Sequence, residues 1–273
     1  MPEDHKQRLE SQLWNIVQKT LSILGIKRKR PKTKVGKIVR RCEHVLNVSL
    51  LLYLGVHFYP QPLFGHQLDH KGITLYSTQP IPVDKGEELL SEIRSEISVS
   101  EIHDSKKKFK IFICNSKALY TFLGPLSRDA FGFTNLNIII AHADLETNIA
   151  KAYRAEYNTR SFTSVATHEI CHEMIKDEFG FLSAHTTPKW LNEGYCEYIA
   201  KESSFPENLG HKMIAKGKAD ESDSFKYFEY RKMVEFYLDK KGHTIKELFS
   251  SPPSESVARN QMRNWLSNQT PPS

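Results

Sequence analysis

The spacing of apolar and polar positions divides the chain near its middle. Three short runs rich in β-branched and aromatic residues, ITLYST (Ile73 to Thr78), FKIFIC (Phe109 to Cys114) and NIIIAH (Asn137 to His142), lie between turn-forming residues and predict strands. Between the first two, about fifteen residues from Asp84 set Leu89, Leu90, Ile93 and Ile97 on one side, which predicts a helix. After His142 the strand signals stop. Helical spacing then covers Phe162 to Asp177, Pro188 to Glu202, Pro206 to Lys218, Ser224 to Lys240 and Ser254 to Asn268. GPLSRDAFGFT, Gly124 to Thr134, reads as a loop beside the sheet, and the Pro, Gly and Gln residues near 60 to 67 read as a linker. Strands first and helices later indicate an α+β domain with a small mixed sheet, not alternating α/β units.

The amino-terminal segment has its own pattern. From Lys27 to Arg41, nine of fifteen residues are Lys or Arg and none is acidic, so this run supplies +9 of a chain whose net charge is +6. The remainder is therefore mildly acidic, and no aromatic-basic interleaving follows, so a nucleic-acid partner is not expected. Val45 to Tyr59 carries no Lys, Arg, Asp or Glu, and the nearest basic residue on its far side is Lys71. That asymmetry predicts a membrane anchor over residues 43–64, with residues 1–42 cytoplasmic and a domain from 65–273 on the other side. A buried core helix is the competing reading, because a span needs roughly 20 apolar residues. Arg8 to Leu24 has an amphipathic period ending at Gly25, suited to a membrane surface or to packing on another element.

The chemistry sits in THEICHEMI, residues 167 to 175. Four positions are slightly more than one helical turn, so His168 and His172 share a face with Glu169 beside them. In an H-E-x-x-H helix the two imidazoles hold zinc and the glutamate acts as general base on water. A catalytic zinc site usually takes a third protein ligand. A histidine six residues after the second His is excluded, since Glu178 stands there. A glutamate about twenty residues downstream, on a second helix turned back against the first, remains, and Glu193 in WLNEGYCEY (Trp190 to Tyr198) occupies that place.

H-E-x-x-H followed by W-L-N-E-G-x-x-x-Y resembles the gluzincin metallopeptidases, with a zincin-like domain. The second segment is similar to the W-L-N-E-G-F-A-x-Y of the aminopeptidase N-like family, although twenty residues separate second His and Glu here and the upstream G-A-M-E-N motif is absent. The nearer likeness is to small bacterial peptidase-MA-like proteins, often membrane-anchored at the amino terminus. The resemblance implies that His168, His172 and Glu193 bind one Zn2+, that Glu169 activates water, and that the substrate is a peptide or protein. It also implies an oxyanion donor on a later helix: Tyr227 stands fifteen residues before Gly242 as in that layout, with Tyr230 one turn away as the alternative. Glu197, one turn beyond Glu193, either orients a zinc-binding histidine or faces solvent. A tethered chain that binds peptides without turnover is the alternative function.

Other positions are less informative. NIIIAH is either an edge strand on which a peptide lies or a central strand, and His142 at its end could reach the cleft. The four cysteines form no C-x-x-C pair. Cys171 and Cys196 lie close enough to the two motifs to pack as buried thiols or to join in a disulfide.

Overall fold

The computed structural model describes residues 33–127, 129–153, 159–218 and 220–267. The chain divides into two compact units, Met1–Pro60 and Gln61–Ser273. The amphipathic segment expected at Arg8 to Leu24 and most of the basic run lie outside the described residues.

The first unit contains one described helix, α1 (Lys34–Phe58), whose N-cap Thr33 accepts a hydrogen bond from the Gly36 amide at 3.1 Å. Among the described residues no helix is long and apolar enough to cross a membrane. The helix that covers part of the span expected over 43–64 falls short of that length and apolarity. The charge-free part of α1 is only Val45 to Phe58, about 21 Å at 1.5 Å per residue, against a hydrocarbon core of about 30 Å. Residues 61–64, needed to lengthen it, belong to the other unit: Gln61–Leu63 is a 3₁₀ turn and Phe64 is buried, its ring centroid 5.0 Å from that of Phe112.

The second unit is α+β, as the order of strand and helix signals requires. Its main sheet has the order β1 (His66–His70), β2 (Ile73–Ser77), β3 (Phe109–Ile113), β5 (Ile138–Ile140), β4 (Gly132–Thr134). β2, β3 and β5 run parallel, while β1 and β4 close the two edges antiparallel. The three parallel strands bury Ile73, Leu75, Ile111, Ile113, Ile138 and Ile140 completely. Helix α2 (Val83–Ser98) makes the β2-to-β3 crossover and buries Leu89, Leu90, Ile93 and Ile97, the four residues its periodicity marks. Helix α3 (Lys117–Leu123) follows β3.

Four strand expectations are corrected. NIIIAH is not one strand, because β5 ends at Ile140 and His142–Asp144 is β6, paired with β7 (Ile149–Lys151) and β8 (Thr159–Ser161) in a separate sheet. Strands therefore continue past His142. The stretch read as a loop contains β4, which makes it the edge strand in place of NIIIAH, and β1 begins within the stretch read as a linker. Each missed strand is short or polar: three residues each in β4, β6, β7 and β8, and HQLDH with a largely exposed face in β1. Three residues hold no alternation long enough to read.

The helical half follows as α4 (Phe162–Phe179), α5 (Phe181–Thr186), α6 (Lys189–Ala200), α7 (Glu207–Ala215), α8 (Asp223–Glu235) with a π-helical turn Phe236–Lys240, α9 (Ile245–Ser250) and α10 (Glu255–Ser267). Helix α4 is capped by Ser161, whose hydroxyl accepts from the Ser164 amide at 3.2 Å, and stops at Gly180, φ 82°. It is buried on more than its apolar side: Thr167, His168 and Glu169 are buried along with Ile170 and Cys171. Its polar face lines a cavity instead of meeting solvent. Helix α6 packs between α4 and α8. Gly194 allows the second contact, since a Cβ there would stand 2.5 Å from the Tyr230 carbonyl oxygen and 2.8 Å from its carbon. Two helix backbones this close admit no side chain between them.

Candidate metal centre

The cavity beside α4 measures about 740 Å³ and is lined by His168, Glu169, His172, Glu193, Glu197 and Tyr227 among others. All six sequence-predicted site residues therefore meet in one place. The partners run in opposite order along the two helices, Asn192 meeting His172 and Glu197 meeting His168, so α6 lies antiparallel to α4. Positions 168 and 172 and positions 193 and 197 are each one turn apart, which turns both pairs toward the same space.

Three donor atoms converge there. His168 Nε2 is 3.1 Å from His172 Nε2 and 3.3 Å from Glu193 Oε2, and His172 Nε2 is 3.5 Å from that same oxygen. A tetrahedral ion with bonds of about 2.0–2.1 Å separates its ligand atoms by about 3.3–3.4 Å, so this triangle has the size of one face of such a site. The other ring nitrogens have partners of their own. Asn192 donates its amide to the Ala184 carbonyl at 2.7 Å, which leaves Oδ1 to accept from His172 Nδ1 at 3.0 Å. His168 Nδ1 lies 3.0 Å from Glu197 Oε1, an ionic contact off the hydrogen-bonding line. Both histidines are thereby held with Nε2 turned inward.

Glu197 is 1% exposed, which rules out the solvent-facing reading. Behind it, Arg160 from β8 donates Nη1 to Glu197 Oε1 at 2.7 Å and Nη2 to Ser164 Oγ at 2.8 Å and to the Glu202 carbonyl at 3.0 Å. Burial favours the protonated form of Glu197, but the Arg160 guanidinium and His168 outweigh it and hold the carboxyl below its ordinary range. Arg160 had no signal in the sequence, thirty-seven residues away on a three-residue strand. Asn192 carried one, its place inside WLNE beside the expected ligand.

A buried group of His168, His172 and Cys196 could hold a metal ion, their ligand atoms lying within 4.8 Å of one another. Cys196 is a free thiol, as is Cys171, and the two meet by hydrogen bond without a disulfide. Cys196 Sγ approaches His172 at Nδ1, 3.4 Å away, the nitrogen that Asn192 already holds. Burial and the neighbouring Cys171 raise its pKa well above the ordinary thiol value. Cys196 thus faces the outer side of the ring, while Glu193 faces the inner side of both rings.

Electrostatics of the donor set follow from its packing. Burial disfavours charge on His168, yet the carboxylates of Glu193 and Glu197 overcome this and raise its pKa to about 10. Glu193, pushed up by burial, is drawn well below the ordinary carboxylate value by His168 and His172. Because the His168 pKa is raised, the stability it contributes is fully present below its unfolded pKa of about 6.5 and fades as pH rises toward 10. Glu193 and Glu197, with depressed pKa values, contribute in full above their unfolded pKa of about 4.3 and lose that contribution as pH falls below it. Chelator-treated protein is therefore expected to melt highest between about pH 5 and 6.5 and progressively lower toward pH 10. A melting temperature that climbed through that upper range would contradict the assignment of the proton to His168.

Of the remaining positions, Tyr227 lines the cavity, with Lys189 Nζ 5.0 Å from its ring centroid, while the Tyr230 hydroxyl lies 3.4 Å from Glu255 Oε1. This separates two residues that the sequence left as alternatives. His142, which could have reached the cleft, lines a second cavity of about 490 Å³ with Asn115 and Asp144 instead. Glu169 and its strand partner Thr134 touch directly, Oε2 to Oγ1 at 2.6 Å. No protein-family model matches this chain, and comparison with curated proteins likewise finds no match.

Proposed function

We propose that this chain is a zinc-dependent peptidase of gluzincin type with a zincin-like domain, acting on peptide or protein substrates. The observation that carries the reading is the convergence of His168 Nε2, His172 Nε2 and Glu193 Oε2 within 3.1 to 3.5 Å in a cavity that Glu169 also lines. Two imidazoles and one carboxylate are the donor set of hydrolytic zinc. That set is favoured over the one with Cys196 because it uses both Nε2 atoms and leaves each Nδ1 with its outer partner. When bound, the ion supplies Lewis acidity, acidifying water and polarising a carbonyl.

The remaining work falls to the chain itself. Glu169 takes a proton at its carboxylate from the attacking water and later gives it to the leaving amine. Glu197 and Asn192 orient the two histidines. Tyr227 offers its hydroxyl to the oxyanion. Burial, and Glu193 after it, raise the Tyr227 pKa well above its ordinary value, so the hydroxyl keeps the proton it must donate.

Metal content decides the first step. The full chain, stripped with chelator and reloaded with zinc, should hold one zinc per chain by elemental mass spectrometry, and Glu193→Ala should hold little under the same dialysis. A folded wild type that took up no metal would sink the proposal.

Attachment to a membrane surface is the second part of the proposal. Helix α1 leaves Val45, Leu46, Leu50, Leu51 and Leu52 more than half exposed, and its first two turns carry Lys34, Lys37, Arg40 and Arg41. Apolar side chains beside a basic cluster suit the interface of an anionic bilayer. The full chain is expected to sediment with vesicles containing phosphatidylserine at low salt; equal sedimentation with neutral vesicles would remove the electrostatic share.

A further inference from the structure

We propose that Thr134 is a positioning residue for Glu169, fixing its carboxylate in the cavity that His168, His172 and Glu193 line. The inference rests on the peptidase reading and adds to it a residue on the edge strand β4. Gly132 and Thr134 are two apart on that strand and so share a face. That face meets α4 at Glu169. Thr134 Oγ1 lies 2.6 Å from Glu169 Oε2 and 2.9 Å from the Glu169 main-chain oxygen. A Cβ at residue 132 would stand 3.2 Å from both Cγ and Oε1 of Glu169 and 3.0 Å from the Ile139 carbonyl oxygen. The glutamate side chain therefore passes between a hydroxyl that binds it and a glycine that leaves it room.

The strand is itself fastened to the helix. Lys176, two turns beyond Glu169 on α4, donates Nζ to the carbonyls of Thr134 at 2.8 Å and Asn135 at 3.2 Å. Phe133, pointing the other way, sets its ring 5.6 Å from that of Tyr120. With both faces held, the Thr134 hydroxyl is a fixed point. A glutamate has three side-chain torsions and scatters its carboxylate unless something binds the end. A general base has to stand within about 2.6–3.2 Å of the proton it takes, and a displacement of about 1 Å costs on the order of 100-fold in rate.

The test compares zinc-reloaded full chains of wild type, Thr134→Val, Thr134→Ser and Glu169→Gln, with fluorescein-labelled casein as probe and crystal structures of wild type and Thr134→Val. Expected are wild-type zinc content throughout, a kcat about 100-fold lower in Thr134→Val with KM changed less than about twofold, and most of the rate recovered in Thr134→Ser. In the Thr134→Val crystal the Glu169 carboxylate should leave its wild-type rotamer. An unmoved carboxylate, or an undiminished kcat, overturns the proposal. Wild type and Glu169→Gln hydrolysing casein equally slowly would instead sink the peptidase reading, and the two crystal structures would still decide whether Thr134 holds Glu169.

Discussion

Replacing Glu169 with Gln is expected to leave zinc bound at the wild-type level and to lower turnover by about 10²- to 10⁴-fold, the usual worth of a positioned general base. That range is about 3 to 5 kcal/mol in the activation barrier. Metal retention is expected because Glu169 is not among the converging donors; its Oε2 is directed to Thr134. An amide is nearly isosteric with the carboxylate and can still meet the Thr134 hydroxyl, so the fold around β4 should persist. What is lost is the ability to accept a proton. Zinc content and casein hydrolysis measured on the same preparation separate the two effects. Retained turnover would remove Glu169 from the proton path and with it the mechanism built on THEICHEMI.

The second large effect belongs to stability. Arg160→Met should destabilise the fold by about 3 to 5 kcal/mol, because it removes the guanidinium from a buried Glu197 carboxylate and leaves it only His168, which Glu193 shares. Both members of the pair are enclosed, with side chains 7% and 1% exposed at a separation of 2.7 Å, so solvent does little to screen the loss. For a folded unit of about 200 residues this corresponds to a fall in melting temperature of roughly 10 °C. Arg160 also holds Ser164 and the Glu202 carbonyl, which ties the start of α4 to the end of α6. Adding Glu197→Gln to Arg160→Met removes the under-compensated charge and should restore part of the lost stability. If the double variant melts no higher than the single one, packing and not charge is what Arg160 supplies.

The two predictions test different depths of the site. Glu169 acts at the cavity, whereas Arg160 stands behind Glu197, which stands behind His168. Burying such a chain of charges is costly unless each has its partner, and here every carboxylate in the series faces a cation or a donor nitrogen. The arrangement favours a proton on His168, so metal uptake is expected to strengthen with rising pH, since that proton has to leave.

The long helices, and the spacings that set candidate site residues on shared helical faces, were legible from the sequence alone. Periodicity placed α2, α4, α6, α8 and α10 within a few residues, and the one-turn spacings of His168 with His172 and Glu193 with Glu197 set each pair on one helical face. These are local properties, written within a single element. The antiparallel seating of α6 on α4, which brings Glu193 Oε2 to both Nε2 atoms, depends on Gly194 admitting α8 behind α6 and on the packing of the whole helical half. Arg160, Thr134 and the strand β4 belong to the tertiary structure for the same reason. Thr134 meets a residue thirty-five positions away and Arg160 one thirty-seven away, each from a strand of three residues. A strand that short carries no pattern of its own, and its place is decided by the β-strand partner and helix it packs against. Charge asymmetry beside Val45 to Tyr59 is likewise read along the chain, but the length of α1 and the burial of Phe64 are settled by where the chain turns. Sequence determined which titratable side chains share a helical face, and tertiary packing decided which of them face one another.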